Sequence, residues 1–149
     1  MIQGRNSIFF FFCFILLFSQ ANCKKGDTQT DPQTQIPIVP VSISLNPNST
    51  EYIHLNLVNG WETITGGYRG IIVYRKSVNE FTAFERACPY DWNLTTSRLV
   101  VDASGITAAC PNCKSKFILL DGTPFEGPSH YPLKQYQATY DGFLLYIFN

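Results

Sequence analysis

From Val41 to the C-terminus, apolar and polar residues alternate with a period of two, and Gly, Pro, Asn and Asp interrupt the alternation. This pattern predicts short β-strands, because successive side chains of a strand point to opposite faces. The predicted strands are residues 41–45, 53–57, 70–74, 81–85, 99–101, 106–109, 117–119, 135–140 and 143–148. Asp141-Gly142, between the last two, is typical of a two-residue hairpin turn. With no convincing amphipathic helix and no internal repeat, residues 41–149 are predicted to form one all-β domain.

The N-terminus carries a short apolar run preceded by a positive charge. Arg5 comes before residues 8–18, and small or polar residues lead from this run to Cys23. The run is too short to span a bilayer core of about 30 Å, which requires about 20 apolar residues. The arrangement resembles a bacterial lipoprotein signal peptide, which implies removal of residues 1–22 and lipidation of Cys23. The alternative is an ordinary secretory signal peptide in which Cys23 is incidental.

Residues 23–40 are predicted to be the lipidated cysteine and a flexible tether. The segment is mostly polar up to Gln35 and contains Pro37 and Pro40. It offers too little apolar surface to compensate the entropy lost on ordering. We therefore expect a lipid-anchored domain in the bacterial cell envelope, with the membrane as a partner through Cys23.

Charge and composition argue against a nucleic-acid partner. Lys plus Arg and Asp plus Glu number 11 each, so no net positive field exists to attract a polyanion. The 12 Phe, 8 Tyr and 2 Trp are typical of an aromatic-rich β protein. At alternating strand positions, these aromatic residues are predicted to fill and flank the core rather than to stack on bases.

Two short segments carry the three cysteines of the predicted domain. They are Cys88-Pro89-Tyr90 and Cys110-Pro111-Asn112-Cys113. The second is a CxxC motif, whose two sulfurs can converge on one metal ion or on each other. A structural zinc site requires a fourth ligand, and neither His54 nor His130 lies at ligand spacing from the cysteines. A Cys₃His zinc site that uses His130 is an open alternative.

The order of these motifs and of the segments that follow resembles a Rieske domain of the ferredoxin type. The matching segments are Phe84-Glu85-Arg86-Ala87-Cys88-Pro89-Tyr90, Cys110-Pro111-Asn112-Cys113-Lys114-Ser115-Lys116-Phe117, Leu120-Asp121-Gly122-Thr123-Pro124, Gly127-Pro128 and Pro132-Leu133-Lys134-Gln135-Tyr136. The resemblance implies a small antiparallel β-sandwich whose tip consists of two facing loops. Each loop of the family supplies one cysteine and one histidine to a [2Fe–2S] cluster.

Carried over to this chain, the resemblance places Cys88 and Cys110 at the two cysteine positions. Tyr90 and Cys113 stand where the family has its two histidines. Cys113 could bind iron as a thiolate and Tyr90 as a phenolate, and Asp91 is an alternative oxygen ligand. A cluster held in this way would have a lower reduction potential than the histidine-ligated form.

The resemblance implies one-electron transfer at the cell envelope, with a redox protein as partner and with no catalysis by the chain itself. The alternative is a Rieske-like scaffold or binding module that has lost its cluster. In an oxidising compartment, a disulfide between the loops or within the CxxC would then hold the tip together. A thiol oxidoreductase is disfavoured, because such enzymes place CxxC at the start of a helix. Hydrolase chemistry lacks a recognisable nucleophile–base pair.

Overall fold

The computed structural model describes residues 29–149. The predicted signal peptide of residues 1–22 and the predicted lipidation site Cys23 lie outside the described residues. Within residues 29–149, no helix is both long enough and apolar enough to cross a membrane.

The described part of the chain contains ten β-strands and one 3₁₀ helix. The strands are β1 (Ser42–Leu45), β2 (Trp61–Ile64), β3 (Ile71–Arg75), β4 (Phe81–Glu85), β5 (Val100–Val101), β6 (Thr107–Ala109), β7 (Lys116–Ile118), β8 (Pro124–Glu126), β9 (Gln135–Tyr140) and β10 (Leu145–Phe148). The 3₁₀ helix spans Thr50–Asn56, between β1 and β2. The strands form a six-stranded sheet in the order β1-β10-β9-β4-β3-β2 and a four-stranded sheet in the order β5-β6-β7-β8. All strand pairs are antiparallel, which confirms the predicted all-β fold class.

Strands β3 and β4 are buried on both faces, so the domain has two hydrophobic cores. One face contributes Ile72, Tyr74 and Phe84 to a core shared with the four-stranded sheet, and this core also contains Cys88 and Cys110. The opposite face contributes Ile71, Val73 and Ala83 to a second core. Leu45 and Ile147, from β1 and β10 at the far end of the six-stranded sheet, belong to this second core. The six-stranded sheet must therefore curl over itself.

The predicted strand 53–57 is wrong, since these residues lie largely in the 3₁₀ helix. Ile53, Leu55 and Leu57 alternate as in a strand, but only Leu55 is buried, while Ile53 and Leu57 face solvent. Two short edge strands, β2 and β8, are missing from the prediction. Strand β8 begins at Pro124, a residue that sheets tolerate at an edge because it has no N–H to donate.

The prediction that aromatic side chains fill the core is confirmed for some of them but not for all. Phe81, Phe84, Phe117 and Tyr136 are buried in the two cores. Phe143 and Phe148, near the end of the chain, are exposed. The hairpin predicted at Asp141-Gly142 joins β9 and β10, but through the four residues 141–144 rather than a two-residue turn. The Asp141 carboxylate accepts hydrogen bonds from the backbone N–H groups of Phe143 and Leu144.

Residues 30–40, which the sequence assigns to the flexible tether, pack against the domain instead. Asp31 closes a turn by accepting hydrogen bonds from the N–H groups of Gln33 and Thr34. Ile36 is fully buried, and the carbonyl of Pro37 accepts a hydrogen bond from the Lys134 ammonium group at 3.3 Å. The buried Ile36 side chain, the Asp31 turn and the hydrogen bonds from Lys134 to Pro37 and from Asn149 to Val39 together hold this polar segment on the surface.

The buried carboxylate of Glu85 connects three parts of the fold. Its oxygens accept hydrogen bonds from the Tyr136 hydroxyl at 2.6 Å and from the N–H groups of Tyr68 and Arg69 at 2.7 and 2.8 Å. A fourth hydrogen bond, 3.1 Å long, comes from the N–H of Ala87, the residue before Cys88. Glu85 thereby fixes the point at which the chain leaves β4 and enters the first cysteine segment.

The Gly127-Pro128 segment packs against the second cysteine segment. Gly127 has a φ of +92°, and a Cβ at this position would lie 2.5 Å from the Cα of Ser115. The N–H of Ser129 donates a hydrogen bond to the buried Ser115 hydroxyl at 3.0 Å. Glycine is thus required here both for the backbone conformation and for the close approach of two chain segments.

We expect Glu85→Gln to destabilise the domain by about 1–3 kcal/mol, because the introduced amide NH₂ faces a buried donor instead of accepting its hydrogen bond. Tyr136→Phe, which removes one donor and leaves three around Glu85, should cost less. Chemical denaturation of the two variants and the wild type measures both effects. Equal unfolding midpoints for Glu85→Gln and the wild type would show that this carboxylate does not hold the three segments together.

We expect Gly127→Ala to lower the free energy of unfolding by more than Gly142→Ala. Gly142 has a similar φ of +99° but has open space where a Cβ would lie, so its substitution reports backbone strain alone, about 1–3 kcal/mol. Gly127→Ala adds the clash with Ser115 to that strain. The same denaturation experiment compares the pair, and equal losses would contradict the proposed close contact.

Candidate metal centre

The first loop, residues 88–97, connects β4 to β5 and carries Cys88 and Asp91. The N–H of Cys88 donates a hydrogen bond to the carbonyl of Ser97 at 3.0 Å, which closes the base of the loop. Within it, the carbonyl of Asp91 accepts a hydrogen bond from the N–H of Leu94 at 3.0 Å. The loop is therefore held by its own backbone and by the adjoining strands.

The second loop, residues 110–115, connects β6 to β7 as a tight turn. The N–H of Cys110 donates to the carbonyl of Ser115 at 2.8 Å, and the N–H of Lys114 donates to the carbonyl of Cys110 at 3.0 Å. Lys114 adopts a left-handed conformation with a φ of +66°, which reverses the chain after Cys113. Cys110 and Cys113 therefore lie on the same tight turn.

The two loops face each other and together form the two-loop tip that the sequence predicts. The sulfur atoms of Cys88 and Cys113 are 3.5 Å apart, and the sulfur of Cys110 lies 3.6 Å from Oδ1 of Asp91. One donor atom from each of these four residues lies within 4.8 Å of the other three. The three cysteines named from the sequence thus lie together with the Asp91 carboxylate.

Tyr90 is placed differently from the cysteines. Its side chain is 57% exposed, and its backbone N–H donates a hydrogen bond to the sulfur of Cys88. His130 is exposed, and His54 pairs with Glu62 at 2.6 Å. Within residues 29–149, no histidine belongs to the group of converging ligands. The Cys₃His site that uses His130 is not formed.

The environment of the four donors combines burial with nearby hydrogen-bond donors. Cys88 and Cys110 are buried in the core shared by the two sheets, whereas Cys113 and Asp91 are partly exposed. The Ser115 hydroxyl contacts the sulfur of Cys113 at 3.2 Å. The Asn112 amide donates a hydrogen bond to Oδ2 of Asp91, the oxygen that does not face Cys110. Ser115 and Asn112, both in the second loop, thus each orient one donor atom, the Cys113 sulfur and the Asp91 carboxylate respectively.

The pKa values of the thiols differ because their surroundings differ. Burial raises the pKa of Cys88 and of Cys110, since a buried thiolate loses its hydration. Burial would also raise the pKa of Cys113, but hydrogen bonds from the Ser115 hydroxyl and backbone outweigh this effect and lower it. For Asp91, hydrogen bonds led by that from Asn112 likewise outweigh burial and lower the pKa. Metal binding at this site would therefore release protons from the buried thiols of Cys88 and Cys110 and from any protonated Cys113.

The [2Fe–2S] cluster implied by the resemblance fits the donor chemistry of the tip but not its arrangement. Thiolates are the ordinary ligands of iron–sulfur centres, and three are present. A Rieske centre also requires two imidazoles on its second iron, and the described site contains none. The four donors form one compact group rather than two separated pairs.

Sequence reasoning identified the three cysteines and named Asp91 only as an alternative. It missed Ser115 and Asn112, whose roles depend on where their side chains point. The sequence did contain one feature related to Ser115. Gly127-Pro128 matches the pattern of the family that the sequence resembles, and in the structure Gly127 packs directly against Ser115.

No protein-family model matches the chain, and no curated protein matches it. Three solved structures resemble the chain at low sequence identity. The ferredoxin of carbazole 1,9a-dioxygenase from Nocardioides aromaticivorans IC177 is 15% identical, with a TM-score of 0.48, over 73% of this chain and 96% of the other. A putative NADH-dependent nitrite reductase small subunit from Mycobacterium tuberculosis is 18% identical, with a TM-score of 0.45, over 74% and 96%.

The third structure is a complex of reduced oxygenase and oxidized ferredoxin in carbazole 1,9a-dioxygenase. The matched chain is 22% identical, with a TM-score of 0.42, over 59% of this chain and 79% of that chain. At these identities and TM-scores the likeness carries no argument about function, and the function proposed below rests on the residues of the two loops. The antiparallel sheets and the two facing cysteine loops agree with the architecture that the sequence predicts.

Proposed function

We propose that this chain is a one-electron carrier of the cell envelope that binds iron at its two-loop tip. The proposal rests on the convergence of Cys88, Cys110 and Cys113. These residues come from two different loops, and the first cysteine of one loop is 22 residues from the first cysteine of the other. Three thiols that meet at one place are a donor set suited to iron. Bound iron would supply a ferric–ferrous couple, which accepts and returns one electron.

The residues of the tip are arranged to hold such a centre close to the surface. Cys88 and Cys110 place two ligands in the hydrophobic core, where water is excluded. Cys113 is half-buried, so one ligand lies near the solvent-facing end of the loops. A centre held in this way is shielded from water on one side and accessible to a partner protein on the other.

The proposed function requires two partner proteins, an electron donor and an electron acceptor. It does not require this chain to convert a substrate. One electron passes from a reduced donor protein to the tip, and then from the tip to an oxidised acceptor protein. No covalent bond forms or breaks in this chain. The chain would therefore act as a carrier or as a subunit of an oxidoreductase rather than as a complete enzyme.

The envelope location is a further part of the proposal and rests on the N-terminal sequence. Residues 1–22 have the pattern of a lipoprotein signal peptide, and Cys23 would carry the lipid. The packing of residues 30–40 against the domain shortens the linker between anchor and domain to about seven residues, 23–29, which span at most about 25 Å. The domain would thus be held close to the membrane surface.

A second candidate is favoured by one distance, the 3.5 Å between the sulfurs of Cys88 and Cys113. In an oxidising compartment, these thiols could form a disulfide that joins the two loops, with loss of two electrons and two protons to an external disulfide or quinone oxidant. Such a protein would be a binding or structural module that leaves Cys110 as an odd thiol.

We expect the full chain, expressed in iron-replete bacterial cells and purified without air, to contain iron and to show sulfur-to-iron charge-transfer absorption. The absorption should change reversibly on addition of one electron per centre. Cys88→Ser should lose most of the iron, because it removes a buried ligand. Metal analysis and visible spectroscopy check this. A colourless, iron-free protein with a Cys88–Cys113 disulfide, seen by mass spectrometry, would support the second candidate instead.

We expect the wild-type chain to carry a lipid at Cys23 and Cys23→Ser to lack it, with no loss of iron from the two-loop tip. The substitution removes the thiol that the lipid would modify and leaves Cys88, Cys110 and Cys113 unchanged. Mass spectrometry of the N-terminal peptide and metal analysis of the purified protein measure the two properties. A wild-type chain without a lipid at Cys23 would contradict the lipid anchor and would say nothing against the iron site.

A further inference from the structure

We propose that the two-loop tip binds a single metal ion in a tetrahedral site formed by Cys88, Cys110, Cys113 and Asp91, rather than a two-iron cluster. The inference concerns the same site as the proposed function and specifies its ligands and its metal content. The ligand class is a divalent ion with affinity for thiolates, such as ferrous iron or zinc.

This inference rests on the distances between the four candidate ligand atoms. In a tetrahedral site with metal–sulfur bonds of about 2.3 Å, two ligand sulfurs lie about 3.8 Å apart. The sulfurs of Cys88 and Cys113 are 3.5 Å apart, and the Cys110 sulfur is 3.6 Å from the nearer Asp91 oxygen. With all four donors within 4.8 Å of one another, they enclose space for one ion.

A two-iron cluster would require a different arrangement. Its two irons and two bridging sulfides lie between the ligand pairs, so that ligands of different irons are well separated. In this tip, Cys88 and Cys113 contact each other directly, and Cys110 contacts Asp91. No pair of donors stands apart from the other pair.

Asp91 has the orientation of a ligand, whereas Tyr90 does not. Oδ1 of Asp91 faces the sulfur of Cys110, and Oδ2 is held by the Asn112 amide. A hydrogen bond to the second oxygen is the usual way in which a coordinating carboxylate is fixed. The Tyr90 side chain is 57% exposed and contributes its backbone N–H to the Cys88 sulfur instead. The site therefore combines three thiolates with one carboxylate oxygen.

The first test uses the purified full chain. After reduction of its thiols and removal of metal, we expect titration with Co²⁺ as the spectroscopic probe to end at one ion per chain. The expected spectrum has the intense visible bands of tetrahedral Co²⁺ and sulfur-to-cobalt charge transfer in the near ultraviolet. For protein loaded with iron in cells, we expect one iron per chain and no acid-labile sulfide.

The second test compares two adjacent substitutions. Asp91→Asn should weaken Co²⁺ binding by at least about 10-fold, the lower range seen for loss of even an outer-shell partner. Tyr90→Phe should leave the affinity unchanged, because its hydroxyl takes no part in the site. Asp121→Asn, which alters a turn carboxylate on the exposed surface, controls for the general effect of removing one negative charge. Circular dichroism and thermal unfolding establish that each variant is folded.

Two irons with two acid-labile sulfides per chain would overturn the single-ion site and leave the electron-transfer proposal intact. One zinc and no iron per chain from iron-replete cells would support the single-ion site and contradict electron transfer. An affinity for Co²⁺ that is equal in Asp91→Asn and the wild type, or that falls in Tyr90→Phe alone, would overturn the assignment of Asp91. Because the metal content is measured on the wild type, a variant that fails to fold leaves the first test decisive.

Discussion

Two of the three clustered thiols lie inside the hydrophobic core that the two sheets share, and the rest of the tip depends on this placement. Cys88 and Cys110 pack with Phe84, Leu99 and Phe117, so the loops are fixed at their bases by the same contacts that join the sheets. Thiols in an apolar core remain protonated unless a cation replaces the protons. Binding of a metal ion at the tip would consequently be coupled to the stability of the domain, because the contacts that stabilise the bases of the loops also hold the cysteines in place.

The support around the loops comes from residues far apart in sequence. Glu85 accepts hydrogen bonds from Tyr136, from the turn before β3 and from Ala87, next to Cys88. On the opposite side, the close approach of Gly127 to Ser115 fixes the residue whose hydroxyl contacts the sulfur of Cys113. Both loops are thus held in place by contacts with the scaffold, and the proposed metal ion and partner protein would lie at their tips.

The sequence predicts the central strands correctly, but it fails where tertiary contacts determine the local structure. The predicted strands 81–85 and 135–140 coincide with β4 and β9, because alternation and turn residues mark both clearly. Residues 53–57 show the same alternation but lie largely in a 3₁₀ helix, and of their three alternating apolar side chains only Leu55 is buried. The convergence of the cysteines followed from the resemblance of the loop order. The resemblance did not predict that Asp91 rather than Tyr90 lies beside the thiols, because position along a loop does not determine the direction of a side chain.

Joint binding of one metal ion by the three thiols underlies both the proposed electron transfer and the proposed single-ion site. X-ray absorption spectroscopy at the edge of the metal bound to the purified full chain tests this binding most directly. We expect three sulfur neighbours at about 2.3 Å and one oxygen at about 2.0–2.2 Å, as in tetrahedral thiolate–carboxylate coordination. No second metal should contribute scattering. A first shell without sulfur would contradict metal binding by the two-loop tip, and a strong metal–metal contribution would contradict the single-ion site.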